Sequence, residues 1–240
     1  IGANLNNNTI ALNSYTVRAG IESAGNLLYV FSKALQLSKN DEGEYSLFNI
    51  PFAQYLKFDF DFAKNIALDH RNSIAYHIGA GVAIPYGNAK VVPFEKQYFS
   101  GGANSVRGWS VRSLGPGTFP GNGNFMNQAG DIKFDASVEL RSRLFWKFQG
   151  AAFIDAGNIW TIRSYDNQSG GKFYLDKFYK QIAVAYGLGL RLDFDFFVIR
   201  FDGGMKALNP VYKSGRKRYP FLHPNFKRDF AFHFAVGYPF

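Results

Sequence analysis

The sequence lacks cysteine altogether, and it contains only two methionines among its 240 residues. The absence of cysteine excludes disulfide-bonded scaffolds, zinc sites built on thiolates and thiol catalysis. The longest nearly apolar stretch covers residues 182–190, which is far short of the roughly 18 residues that a membrane-spanning helix needs. These shortages exclude a helical membrane protein but not one that crosses a membrane with β-strands.

Aromatic residues, in contrast, make up 18% of the chain, and such enrichment favours β-structure. The net charge is +9, yet the basic residues are mostly interspersed with carboxylates. No zinc-finger, helix-turn-helix or RNP-type pattern accompanies them, so we expect no binding to nucleic acid. The chain opens at Ile1 without a signal peptide, which we interpret as a mature form or a fragment.

Strict alternation of polar and apolar residues is the dominant pattern. Between Asp131 and Leu144 one face is polar and the other is apolar, broken only by Ser142. Eight strands are predicted in this way, near residues 11–22, 52–64, 69–84, 131–145, 147–158, 182–196, 197–207 and 229–240. Most are long enough to cross a bilayer with tilt.

The connections between these strands alternate in length. Those near residues 23–51, 85–130, 159–181 and 208–228 are long, and the others are very short. A soluble β-sandwich also alternates apolar and polar residues, but long outer loops with short inner turns are typical of outer-membrane barrels. The sequence therefore predicts an all-β fold, a transmembrane antiparallel β-barrel with its short turns in the periplasm. Apolar residues at helical spacing within 25–39 predict a short amphipathic helix that packs over the barrel rim.

The second long loop contains Val106-Arg107-Gly108-Trp109, preceded by Gly101 and Gly102. Ser-Val-Glu-Leu-Arg follows at 137–141, Phe-Ile-Asp-Ala-Gly-Asn at 153–158, and the chain ends in alternating aromatics up to Phe240. In this order the motifs resemble the BamA/TamA superfamily of outer-membrane assembly and translocation barrels, also called bacterial surface antigen barrels. The resemblance covers about residues 50–240. The Gly-Pro-Gly at 115–117 is most similar to TamA-like proteins of the Bacteroidetes type.

The resemblance implies how the chain fits into a larger barrel. In the family barrel of sixteen strands, the hallmark loop joins the eleventh and twelfth strands, so the eight strands correspond to the ninth to sixteenth. Residues 1–240 would then be the C-terminal part of the barrel domain, with residues 85–130 as hallmark loop. The first half of the barrel and the periplasmic POTRA repeats are absent from this sequence. An eight-stranded barrel is filled by its own side chains, which also favours a fragment.

Arg107 is the candidate functional residue of this loop. In the family the loop enters the lumen and its arginine meets acidic residues on the wall. Asp155 and Glu139 alternate inward on adjacent strands, so we expect a guanidinium–carboxylate pair that positions the loop. Gly101, Gly102 and Gly108 would permit the sharp turns. The alternative is that Arg107 is a solvated loop charge and Asp155 merely lines a wet lumen.

The last strand carries the second candidate feature, an aromatic face that would contact lipid and serve as a membrane-targeting signal. Its residues are Phe232, Phe234, Val236, Tyr238 and Phe240. The resemblance implies that this strand forms one side of a seam that accepts incoming strands. Gly237 and Pro239 would weaken the pairing of this strand at the seam.

The predicted function is insertion and folding, or translocation, of other outer-membrane proteins in the bacterial outer membrane. A dedicated secretion translocator of the same superfamily is the main alternative, and a passive porin-like channel is another. We expect no enzymatic activity, metal or cofactor, because the four histidines lack ligand or triad spacing. The expected partners are the lipid bilayer, unfolded outer-membrane protein clients and accessory lipoproteins or periplasmic proteins. The basic last loop could also contact lipopolysaccharide, although a solvated loop is the simpler interpretation.

Overall fold

The computed structural model describes residues 2–6, 13–194 and 196–240, and its side chains from residue 13 onward. One antiparallel sheet of nine strands dominates the described residues. Its strands are β1 (Gly2–Asn6), β2 (Asn13–Ala24), β5 (Tyr55–Ala67), β6 (Asn72–Pro85), β7 (Ile132–Arg143), β8 (Phe148–Trp160), β9 (Ala183–Asp193), β10 (Val198–Leu208) and β11 (Phe230–Val236). A small hairpin, β3 (Ser46–Leu47) and β4 (Ile50–Pro51), lies in the first long loop.

The order of the strands in the sheet follows the order in the sequence. The predicted antiparallel all-β architecture is confirmed, and the eight predicted strands correspond to β2 and β5 to β11. The sequence analysis missed β1, because the alternation of Ala3 and Leu5 with Asn4 and Asn6 is too short to mark a strand. In the described residues β1 and β11 are the two edges of the sheet and do not pair with each other, so this sheet is not closed.

Register across the sheet keeps apolar and polar residues on opposite faces. Val138 lies opposite Ile154, and both side chains are more than half exposed on the outer face. Their neighbours Glu139 and Phe153 face inward and are buried. A sheet with an exposed apolar exterior and a polar interior is the arrangement of a transmembrane barrel.

Long and short connections lie at opposite ends of the strands. Residues 25–54, 86–131, 161–182 and 209–229 form the long loops, and residues 68–71, residues 144–147 and the connection of β9 with β10 (described at 194 and 196–197) form the short turns. At the short-turn end, the exposed Phe145 and Trp146 contact the half-buried Phe148, and the exposed Phe196 contacts Phe197. Such a girdle is typical of a membrane interface.

The predicted amphipathic helix is α1 (Asn26–Ala34), but its expected packing is wrong. Leu27 and Phe31 are 76% and 63% exposed, whereas Ser32 is buried. Polar contacts at the start of the helix explain the orientation, because the Asn26 side chain bonds to Ser23 Oγ, Gln54 and Tyr86. The apolar face of α1 therefore points away from the rim. No described helix is both long and apolar enough to span a membrane.

The last strand ends earlier than predicted. β11 stops at Val236, and Gly237 takes a φ of 94° in the left-handed region while its N–H donates to the Val198 carbonyl. The next residues leave the strand, since Pro239 has no N–H for the ladder. Phe240 stacks on the inward-facing His77 with ring centroids 5.2 Å apart. The prediction of a strand to residue 240, with Tyr238 and Phe240 on its lipid face, is therefore wrong.

Three residues of that predicted aromatic face do occupy β11. Phe232, Phe234 and Val236 are each more than 60% exposed on the outer side, and Phe232 and Phe234 lie against Phe201 of β10. Tyr238 instead contacts Arg141, whose guanidinium lies 4.6 Å from the ring centroid. A short helix, α2 (Phe226–Asp229), precedes the strand.

Candidate functional site

The loop of residues 86–131 folds back against the inner wall and turns sharply before Arg107. Gly101 and Gly102 both have φ of 96°, in the left-handed region, and a Cβ on Gly101 would overlap the Ser110 carbonyl oxygen. The Gly102 N–H donates to the Trp109 carbonyl at 2.8 Å. This turn requires glycine and brings Arg107 to the strands opposite it.

Arg107 is completely buried and forms a two-pronged ion pair with Asp155 on β8. Its Nε donates to Asp155 Oδ2 and its Nη2 to Asp155 Oδ1, each at 2.8 Å. The Arg107 backbone N–H also donates to Oδ2, at 3.0 Å, and Ser137 Oγ donates to Oδ1 at 2.6 Å. A planar guanidinium fits this arrangement and an ammonium does not.

Glu139 on β7 holds the other side of the guanidinium. Its Oε2 accepts from Arg107 Nη1 at 2.7 Å, and the Phe153 ring lies under the guanidinium at 3.4 Å. Unlike Asp155, Glu139 also pairs with Arg141 at 2.6 Å and with Arg191 at 2.7 Å. Glu139 is thus shared among three cations.

Charge compensation keeps Arg107 protonated in this buried place. Burial alone would lower its pKa, but the hydrogen bonds and charges of Asp155 and Glu139 outweigh burial and raise the pKa above its ordinary value. A buried charge is tolerated only when it is paired and hydrogen-bonded, so Arg107 stays charged in this place because carboxylates surround it.

The sequence analysis did not single out the residues of β9 and β10 that complete the cluster. Arg200 donates to Asp202 at 2.9 Å and to the Ala103 carbonyl at 2.8 Å, and it also bonds to Asn104. Asp202 Oδ2 lies 3.6 Å from Arg107 Nη1. Inward alternation of Arg191, Arg200 and Asp202 was the signal that could have found them.

Close backbone approach fixes the loop on the wall beyond the ion pairs. A Cβ on Gly204 of β10 would overlap the Arg107 carbonyl oxygen, and a Cβ on Gly108 would come within 2.8 Å of Ala185 Cβ. His233 of β11 donates from Nε2 to the same carbonyl of Arg107, at 2.9 Å. The loop therefore touches the last strand as well as the wall.

Val106 and Trp109, the apolar residues of the hallmark motif, lie in one small buried cluster with Leu114, Ala183 and Ala185. Each predicted loop residue is thus in a packed position. Pro239 and Phe240 line a narrow cavity of about 10 Å³ that Arg107 also lines, which places the chain terminus beside the site. Among the described residues, no group of His, Asp or Glu side chains could hold a metal ion.

Comparison with known proteins agrees with this architecture. Residues 40–240 match the model of the Omp85 superfamily domain. The chain belongs to the Omp85 superfamily. It is 33% identical over 98 residues to the outer membrane protein assembly factor BamA of Neisseria meningitidis serogroup B, an alignment that covers 37% of this chain and 12% of that protein.

One solved structure shares the fold. A crystal structure of BamA from Haemophilus ducreyi lacking POTRA domains 1–3 superposes with a TM-score of 0.53 at 17% identity, covering 98% of this chain and 53% of that one. CdiB from Acinetobacter baumannii gives a TM-score of 0.37 at 12% identity, covering 93% and 41%. The chain thus spans about half the length of the BamA structure that it matches and a small part of the Neisseria protein.

Membership of the superfamily establishes the location and the general class. The chain is part of an outer-membrane β-barrel. At the level of the family it belongs with barrels that insert proteins into the outer membrane or transport them across it.

Proposed function

We propose that this chain is the C-terminal part of an outer-membrane barrel that inserts and folds other outer-membrane proteins. The observation that supports the proposal most is the buried pair of Arg107 and Asp155, because it fixes a long loop inside the barrel. A loop held in this way on β7, β8 and β10 gives the lumen a fixed shape next to the last strand.

The proposed mechanism uses the free edge of β11. Unpaired N–H and C=O groups at a sheet edge can template an incoming strand by β-augmentation. β11 pairs with β10 over seven residues, Phe230–Val236, and the chain turns inward at Gly237. The short edge strand would therefore be easily opened and would offer its other side to a client strand.

The domain proposal is that residues 1–240 form the second half of a sixteen-strand barrel. If the loop of 86–131 joins the eleventh and twelfth strands, β2 is the ninth, β11 is the sixteenth, and the additional strand β1 becomes the eighth. The coverage of 53% of the Haemophilus chain supports this assignment. We expect the missing strands and POTRA-like repeats upstream of Ile1.

Accessory lipoproteins or periplasmic proteins and unfolded outer-membrane proteins are the partners that the proposal requires. The similarity to a protein named an outer membrane assembly factor supports them. A TamA-like type, suggested by Gly-Pro-Gly at 115–117, stays a hypothesis within this proposal. We propose no enzymatic step and no cofactor.

A dedicated secretion translocator is the alternative within the superfamily. Both functions need a docked loop, but they differ in the number of clients. The test replaces the native gene with an Arg107→Ala variant and measures the folded outer-membrane proteins by quantitative proteomics. Loss of many unrelated barrels supports assembly, and loss of one exported protein supports translocation.

The matched control is Lys90→Ala on the same loop, whose side chain is 60% exposed and lies 3.7 Å from Glu42. This variant should leave all clients at normal levels. A passive channel would show itself by a steady single-channel conductance without loss of any client, and that outcome would overturn the proposal.

A further inference from the structure

An apolar groove of about 730 Å³ lies on the outer face of the sheet, away from the lumen site. It runs across β2, β5, β6 and β7 near their long-loop ends. The side chains that line it include Ile21, Phe58, Phe60, Val82, Phe134 and Trp160. Register places Ile21 opposite Phe58, and Phe58 opposite Val82, all on the outward face. The small residues Ala19 and Ala80 make its floor concave.

One wall of the groove comes from the loop of residues 161–182. Phe173 and Phe178 contact the Trp160 ring edge-on, with centroids 5.6 and 6.2 Å away, and Trp160 Nε1 donates to Gln181 at 2.7 Å. Trp160 is an outward-facing residue at the end of β8, opposite Ile132, yet it is fully buried. Phe173 and Phe178 of this loop therefore pack on the outer face of the barrel, whereas Gln168 of the same loop bonds to the loop of residues 86–131.

The segment of residues 172–180 in this loop, which we call the rim segment, combines lysine with aromatic residues. Its sequence is Lys-Phe-Tyr-Leu-Asp-Lys-Phe-Tyr-Lys, with three lysines and one carboxylate. Tyr174, Leu175 and Tyr179 are 47%, 78% and 59% exposed. Tyrosine and lysine in this combination are typical of the membrane–water interface.

The lysines of the rim segment are available to an anion. Lys172 and Lys177 lie over the Tyr174 ring at 5.4 and 5.6 Å, and Lys180 lies 5.6 Å from the Tyr179 ring centroid. Lys177 Nζ is 3.9 Å from Asp176, and both side chains are more than 60% exposed, so that contact is weak. Positive charge is thus concentrated directly beside the apolar groove.

We propose that the groove and the rim segment form a binding site for a phosphorylated lipid of the outer leaflet. An acyl chain would lie in the groove, and its phosphate headgroup would meet Lys172, Lys177 and Lys180. The volume is within the range of about 300–1,000 Å³ of ligand-binding pockets. The position fits a lipid because the groove opens on the face that contacts hydrocarbon, with cations at the headgroup level.

The test uses the complete protein that contains this chain, in nanodiscs of phosphatidylcholine with or without lipid A, and counts the lipids retained in native mass spectrometry. Wild-type protein should retain lipid A in preference to its dephosphorylated form. The triple variant Lys172→Gln, Lys177→Gln and Lys180→Gln should bind lipid A on the order of a hundredfold more weakly, at roughly fivefold for each lysine near the surface.

Two controls separate the site from general charge and from general hydrophobicity. Lys213→Gln, Lys217→Gln and Lys227→Gln remove equal charge from the last long loop and should leave retention unchanged. Ala80→Trp fills the groove and should abolish retention, whereas Ala152→Trp, at an exposed outward position outside the groove, should not.

Three outcomes would overturn the proposal. The first is equal loss in both lysine triples, which would show that only net charge matters. The second is full retention in Ala80→Trp, which would remove the groove from the site. The third is equal retention of phosphorylated and dephosphorylated lipid. Because all these substitutions lie on the surface, the heat-modifiable migration of each variant checks that it still folds.

Discussion

The pair of Arg107 and Asp155 should be strongly coupled, whereas Arg107 and Glu139 should not. Asp155 has no cation but Arg107 among its described ion pairs. Glu139 keeps Arg141 and Arg191 when Arg107 is removed. In Arg107→Ala, Asp155 therefore loses its one described cationic partner, whereas Glu139 keeps two.

The expected loss of stability follows from the burial of the Arg107, Asp155 and Glu139 side chains, which are at most 1% exposed. Arg107→Ala leaves the Asp155 carboxylate buried with only the Ser137 hydroxyl and backbone as donors, which should cost about 3–5 kcal/mol. Asp155→Asn leaves Arg107 with Glu139 and should cost about 1.5–3 kcal/mol, the value of charged hydrogen bonds.

A double-mutant cycle isolates the coupling. We expect about 2 kcal/mol for Arg107→Ala with Asp155→Asn, and less than about 0.5 kcal/mol for Arg107→Ala with Glu139→Gln. The measurement is urea unfolding of the complete protein in lipid vesicles, followed by tryptophan fluorescence. Lys90→Ala serves as the control and should lie within about 0.5 kcal/mol of wild type.

Arg107→Lys distinguishes shape from charge. A lysine keeps the positive charge but cannot bond to both oxygens of Asp155 and to Glu139 at once. We therefore expect Arg107→Lys to recover less than half of the free energy of unfolding that Arg107→Ala loses. Additive effects of Arg107→Ala and Asp155→Asn, or a fully stable Arg107→Ala, would refute the reasoning and leave Arg107 as an ordinary loop charge.

Four further predictions address other parts of the molecule. Gly204→Ala should displace the loop and raise protease cleavage within 86–131, because its Cβ would overlap the Arg107 carbonyl oxygen. Gly20→Ala, whose Cβ would meet only Asp59 Cβ at 3.8 Å, is the control and should leave cleavage unchanged. Deletion of Tyr238-Pro239-Phe240 should lower the amount of the protein in the outer membrane, measured by cell fractionation. Normal levels of the truncated protein would show that these three residues have no role in targeting. Residues 1–240 refolded alone in detergent should associate through their open edges instead of giving a monodisperse monomer in size-exclusion chromatography. Burial alone would raise the pKa of Asp229, but the Arg228 side chain and the Asn225 N–H outweigh burial and hold this pKa below the ordinary value of 3.8. The Asp229 carboxylate therefore stabilises α2 above pH 3.8, and this stabilisation disappears as the pH falls through the lowered pKa. Hydrogen exchange of the α2 backbone that already rises at neutral pH would contradict this prediction.

The strands and their faces were predictable from the sequence because period-two alternation is a local property. When one face of a strand is polar and the other is apolar, a shift of the pairing register by one residue would turn every apolar side chain to the polar face of the sheet. The motif order around Arg107 and the alternation of Asp155 and Glu139 also indicated which residues could meet. The same alternation contained Arg191, Arg200 and Asp202, although no local pattern set them apart from other lumen-facing charges.

Only the tertiary structure decided how segments without alternation are placed. The direction of α1 depends on polar contacts of Asn26 with Gln54 and Tyr86, which lie far along the chain. The inward course of the last residues depends on Gly237 and on the distant ring of His77. Sequence alternation reports which side of a strand faces lipid, but the position of a loop is determined by contacts between residues far apart in the chain, and these exist only after the sheet has formed.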